Sequence, residues 1–189
     1  MADTPDKKVF SQHTNIFSIL TDCVPEEDQQ KLMMQVLNNQ DLIQTTIYYK
    51  FYLFEALHKT GLADNYLSML NTWENMLEEG LTTFAEGDYE ERSDCHAWSS
   101  SPLYHFLSIV AGIRPGSPGY HTVRVEPNFG HLNTLEVKVA HPKGMISLNL
   151  IKKGSSIRGD IQLPADLEGT LYWRDEKIDL SGGNNIINL

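Results

Sequence analysis

Two hydrophobic patterns meet near residue 115 of this 189-residue chain. Before it, apolar residues recur at the three-to-four spacing of a helix face. Val9–Leu20 puts Val9, His13, Ile16, Phe17 and Leu20 on one stripe. Pro25-Glu26-Glu27-Asp28 opens a second helix, with proline in its first turn and acids facing the positive end of its dipole. Leu32, Met33, Val36 and Leu37 are its apolar set, and Asn38-Asn39 ends it. Thr45–Lys59 is apolar almost all round, with Gly61 just beyond it. A helix apolar on every face must be covered on every face. Ala63–Glu79 predicts a fourth helix with Tyr66, Leu67, Leu70, Trp73, Met76 and Leu77 inward. Ser99–Ala111 predicts a fifth, capped by Ser99, Ser100 or Ser101 and with Pro102 in its first turn.

Beyond Gly112 the period becomes two. His121–Pro127, Thr134–Pro142, Gly144–Gly154, Ser156–Pro164 and Gly169–Leu180 alternate apolar with polar residues, punctuated by Gly and Pro. That is the signature of an antiparallel β-sandwich. Ile113–Thr122 reads as the linker. The expected organisation is therefore a multi-domain α and β chain, helical over 1–115 and a sandwich over 116–189. Short turns between consecutive helices fit a bundle, or part of an α/α barrel or toroid. Five helices cannot close a six-hairpin toroid, and the all-round apolar helix at Thr45–Lys59 calls for further neighbours, a first hint that the chain is a fragment.

Charge sharpens this division. Of the net charge of −10, the whole excess lies in residues 1–115, which hold seventeen Asp/Glu against seven Lys/Arg. Residues 116–189 hold eight of each. An acidic body argues against a nucleic-acid partner, whose phosphates demand Lys and Arg. No apolar run is long enough to span a membrane. The start, Met1 to Lys8, is polar and has no apolar core of a secretory signal, which leaves the compartment open. Two cysteines, Cys23 and Cys95, are too few for a disulfide framework or a thiolate zinc site.

The segment Gly80–Leu107, GLTTFAEGDYEERSDCHAWSSSPLYHFL, is too long and too decorated for a simple connection. With its flanks it resembles the inverting α-L-rhamnosidases, glycoside hydrolases built on an α/α toroid. Phe10–Leu20 is similar to that family's Ser-Gln-His helix start. Thr45–Leu57 is similar to its Thr-Pro-Tyr helix, with Ile47 in place of Pro. Trp73–Glu86 resembles its Trp-x-x-Met-Leu-x-x-Gly-Ala-Thr-Thr-x-Trp-Glu signature, with Ala85 in place of the second Trp. Ser93–Pro115 resembles the following segment of some bacterial members, and Gly119–Gly130 the start of their C-terminal β-sandwich.

The resemblance implies that Glu86 is a general base and that His96 and Trp98 line a sugar subsite. It points also to Tyr48 and Trp73 as pocket residues, although both suit a helical core as well. It implies rhamnose-containing glycans or glycosides as partners; no cofactor is expected, and no metal. The chemistry agrees with the residue types. Inverting hydrolysis needs an acid and a base, their carboxyls ~6.5–9.5 Å apart to hold a water. Imidazole hydrogen-bonds sugar hydroxyls, and indole stacks on the apolar ring face. Thr82 and Thr83 can fix the loop that carries Glu86. None of Asp88, Glu90, Glu91 or Asp94 matches the family's acid, so the chain is expected to hold one half of the pair and to be inactive or nearly so alone. Two other readings are a non-catalytic carbohydrate-binding module and a fragment that self-associates through exposed helical faces. Cys95 and His96, adjacent on an extended segment, point apart and make a poor nucleophile–base pair. Asp94, His96 and His105 match no metal-ligand spacing.

Overall fold

In a computed structural model, which describes residues 2–4, 6, 9–89 and 92–189, the chain divides into two compact units, 1–102 and 103–189. This contact boundary falls earlier than the change of pattern at residue 115, because residues 103–110 belong with the strands.

The first unit is built on helices α1 (Gln12–Leu20), α2 (Glu26–Asn38), α3 (Lys50–Lys59) and α4 (Asn71–Glu78). Ile16, Ile19, Met33, Val36, Leu53, Phe54, Leu57, Tyr66 and Trp73 form its core. The stripe on α1 differs from expectation: Ile16 and Ile19 turn inward, while Val9 and Phe17 stay exposed. Polar side chains accompany the two isoleucines because each has a backbone partner. Gln12 donates to the Val36 carbonyl and accepts from the Thr45 amide, and Asn15 donates to the Ser11 carbonyl. The all-round apolar stretch becomes helical only at Lys50, since the β-branched run Thr45-Thr46-Ile47 favours an extended start. The Gly61 amide then meets the His58 carbonyl, and φ of +71° at Gly61 ends α3 in the left-handed turn expected of glycine.

The expected helix Ala63–Glu79 breaks into two single 3-10 turns, Ala63–Asn65 and Leu67–Met69, before α4. Asn65 and Ser68 each bond a backbone carbonyl three residues back, which competes with the helical ladder. The fifth helix is likewise composite: a 3-10 turn Ala97–Ser100, α5 (Ser101–His105) and a π turn Phe106–Val110. Its expected serine cap is absent among the described residues. Ser100 donates to the Ala97 carbonyl, and the Ser99 and Ser101 hydroxyls are buried without a hydrogen bond.

The second unit holds two four-stranded sheets. In one, β3 (Thr134–His141), β4 (Gly144–Lys153), β5 (Ser156–Leu163) and β8 (Gly183–Asn188) pair antiparallel. In the other the order is β1 (Ile113–Pro115), β2 (Thr122–Val125), β6 (Glu168–Trp173) and β7 (Glu176–Leu180). Period-two burial is clean on β4, where Ile146, Leu148 and Leu150 are buried and Met145 and Ile151 are exposed. Ile113, Val123, Val125, Leu171 and Leu180 are the buried apolar residues of the second sheet. Three expectations change here. The sandwich is not wholly antiparallel, because β2 runs parallel to β6. Gly169–Leu180 is a hairpin turning at Arg174, whose φ is +53°. The linker contributes β1, and β8 joins at the chain's end.

Candidate active site

The loop after α4 is a long arm folded back on itself. The Glu86 amide donates to the Ser93 carbonyl at 2.8 Å, and the His96 amide to the Phe84 carbonyl at 2.7 Å. Thr83 closes the same ladder through its hydroxyl, donated to the Asp94 carbonyl. Arg92 is the sole Lys or Arg in residues 80–107, and it ties the arm to α4 by pairing with Glu79 and Asp94. This backbone pairing puts Glu86 and His96 on facing runs of one arm. Glu90 and Glu91 lie outside the described residues.

The half-exposed Glu86 carboxylate has two neighbours on that arm. The Ser93 amide reaches it at a long 3.5 Å. The Tyr89 phenol hydrogen-bonds it, and partial desolvation followed by this carboxylate raises the phenol's pKa. Gly87 makes room for the phenol ring, since a Cβ at that position would stand 2.3 Å from it.

Three of the five expected site residues meet as rings. His96 and Trp98 have centroids 4.2 Å apart, and Trp98 and Tyr48 5.1 Å. Trp98 is 47% exposed and Tyr48 39%, so both rings remain partly open to solvent. Trp73 is not in this row. It is buried, its indole N–H donates to the Ser99 carbonyl at 2.7 Å, and Lys50 lies over its ring at 5.3 Å. Lys50 in turn donates to the Thr72 hydroxyl. Burial lowers its pKa and Asp88 opposes that shift. Sequence reasoning missed Tyr89, Lys50 and Arg92. Arg92 had a signal, as the lone cation in an acidic segment; Tyr89 and Lys50 had none. Among the described residues no group of His, Cys, Asp and Glu is placed to hold a metal.

The row continues on α1, where His13 touches Tyr49 at 4.3 Å. Burial lowers the His13 pKa from its usual 6.5, with Asp3 opposing. The neutral imidazole is thus favoured in the folded state, so stability is lost as pH falls from about 6.5 through the lowered value. The drop in urea midpoint between about pH 7.5 and pH 5 is expected to shrink in His13→Phe. An unchanged drop would show that His13 does not contribute.

Residues 112–186 match the family described as Bacterial alpha-L-rhamnosidase C-terminal domain. The strand-rich part of this chain is similar to that domain. The fold match extends well beyond it. Native α-L-rhamnosidase from Aspergillus terreus superposes with a TM-score of 0.81 at 20% identity, over 95% of this chain and 24% of its own. The enzyme from Dictyoglumus thermophilum gives 0.77 at 21% identity, over 95% and 25%. The Streptomyces avermitilis α-L-rhamnosidase, solved in complex with L-rhamnose, gives 0.80 at 16% identity, over 94% and 21%. No curated protein sequence matches the chain. The chain therefore has the fold of the C-terminal portion of a rhamnosidase, and spans about a quarter or less of the length of these structures.

Proposed function

We propose that this chain carries the general-base half of an α-L-rhamnosidase site, for cleavage of terminal α-L-rhamnosyl bonds with inversion. Residues 1–115 would belong to an (α/α)6 toroid and 116–189 to its C-terminal β-sandwich. The observation that carries the reading is the ring row His96–Trp98–Tyr48, whose first two members lie on the same arm as the Glu86 carboxylate and meet Tyr48 at the start of α3. Trp98 and Tyr48 offer apolar faces to a deoxy sugar, and His96 a hydrogen-bonding edge for its hydroxyls. Glu86 takes the proton of the attacking water. Tyr89 orients the carboxylate, and Trp73 supports the row through Ser99. The partner acid must stand across the sugar from Glu86, about 6.5–9.5 Å away. Family pattern assigns that role to no carboxylate of the arm.

The test is titration of the chain with L-rhamnose alongside an assay of p-nitrophenyl α-L-rhamnoside hydrolysis. Rhamnose is expected to bind without turnover, and Trp98→Ala to weaken binding about tenfold, the loss of one good ring contact. Turnover that disappears in Glu86→Gln would sink the half-site reading, because the acid would then lie within this chain. Absence of rhamnose binding would sink the sugar site itself.

A second reading, self-association, is favoured by one feature of the strand-rich unit. Leu103, Tyr104, Phe106 and Leu107 are all exposed on one short helical segment, Leu103 by 61%. Light scattering that reports a monomer at high concentration would end it.

A further inference from the structure

The ring row does not stop at Tyr48. Tyr52 lies in the first turn of α3 and Tyr48 just before it, while His13 and Phe17 stand four apart on α1 and share one of its faces. The start of α3 meets that face: Phe17 lies 5.0 Å from Tyr52 and 6.2 Å from Tyr49, and His13 lies against Tyr49. Tyr48 joins the second cluster to the first, with centroids 5.3 Å from Tyr49 and 6.0 Å from Tyr52. Exposure persists along the row, since Phe17 is still 37% exposed.

We propose that Tyr49, Tyr52, Phe17 and His13 form an adjoining subsite for a second ring with an apolar face, covalently joined to the rhamnosyl unit. The proposal rests on the reading of His96, Trp98 and Tyr48 as the rhamnosyl platform. Three observations select this occupant. The cluster is continuous with that platform. Three of its four members carry a polar tip on an apolar body, which suits a hydroxylated ring better than an aliphatic helix face. The acidic excess of residues 1–115 disfavours an anionic ligand, so the ring is neutral. Pyranose and aryl rings share the required chemistry, and the choice of probe separates them.

The experiment compares the Kd of this chain for methyl α-L-rhamnoside, p-nitrophenyl α-L-rhamnoside and a rhamnosyl-glucose disaccharide. One or both of the two-ring ligands is expected to bind about tenfold tighter than the methyl glycoside, the gain of one added ring contact. Tightening by the p-nitrophenyl glycoside alone assigns an aryl ring, by the disaccharide alone a pyranose. Phe17→Ala is expected to remove the advantage and leave methyl glycoside binding unchanged. Phe17→Leu keeps an apolar side chain and removes the ring face; it must also lose the advantage, which guards against a folding defect in the alanine variant. Equal affinity for all three ligands, or an advantage that survives both variants, overturns the subsite while the rhamnosyl platform stands. Such a result is also what a protein segment covering this face would produce. Failure to bind even the methyl glycoside overturns the platform and the subsite with it.

Discussion

Gly112→Ala is expected to destabilise the strand-rich unit by about 3 kcal/mol or more, because two independent costs fall on one residue. Gly112 has φ of +67°, a conformation that strains any residue with a Cβ. A Cβ there would also stand 1.9 Å from the Glu126 carbonyl oxygen and 2.1 Å from its carbon. Both atoms are backbone, so no side chain can swing aside. Nor can the backbone yield cheaply. Gly112 accepts the Glu126 amide at 2.9 Å, Val110 accepts the Asn128 amide at 3.0 Å, and β1 begins at the next residue, pairing Ile113 with Val125. Thermal unfolding followed by circular dichroism checks this. At ~4–8 °C per kcal/mol for a unit of this size, the midpoint should fall by at least about 12 °C. Gly154→Ala is the control. Its φ is +59°, yet no atom lies within 4 Å of the added Cβ, so it carries the strain alone. Equal losses from the two substitutions would show that the contact with Glu126 is relieved at little cost.

The same region shows what a linear pattern can and cannot convey. β3, β4 and β5 were legible because each is long, alternates, and pairs with its chain neighbour through a short turn. β1 was hidden because three residues ending in Pro115 carry no period. The parallel pairing of β2 with β6 was hidden because β3, β4 and β5 lie between the two strands in sequence. The hairpin β6–β7 read as one strand because Arg174-Asp175 interrupts neither polarity nor length. In the helical unit, Asn65 and Ser68 broke a helix by local bonds that periodicity does not register. For the site, residue type pointed to a carboxylate and sugar-binding rings, and their roles came from resemblance. Their assembly came from elsewhere. Trp98 meets Tyr48 because a folded arm, pinned by Thr83 and Arg92, returns to the start of α3. No spacing in the sequence encodes that return.

Trp73→Ala is expected to have the second large effect, about 3–5 kcal/mol off the stability of the helical unit. Trp73 is 7% exposed, and its ring lies 6.0 Å from Phe54, which packs edge-on to Tyr66 at 4.8 Å. Alanine would leave a cavity in the middle of that aromatic core. It would also take away the indole face under Lys50, a partly desolvated cation, leaving it the Thr72 hydroxyl. The more informative variant is Trp73→Phe. It keeps most of the volume but removes the indole N–H together with the five-membered part of the ring, so the Ser99 carbonyl loses its 2.7 Å donor at a cost of roughly 1–2 kcal/mol. Ser99 follows Trp98 directly, which makes that bond the tether between the core and the exposed ring row. If the tether positions Trp98, Trp73→Phe should weaken rhamnose binding several-fold while urea unfolding, followed by circular dichroism, shows only the modest loss. Binding that tracks stability through both variants would instead assign Trp73 to packing alone. Binding that is unchanged in Trp73→Phe would mean that Trp98 is held by its contacts with His96 and Tyr48, and that the arm, not the core, sets the geometry of the site.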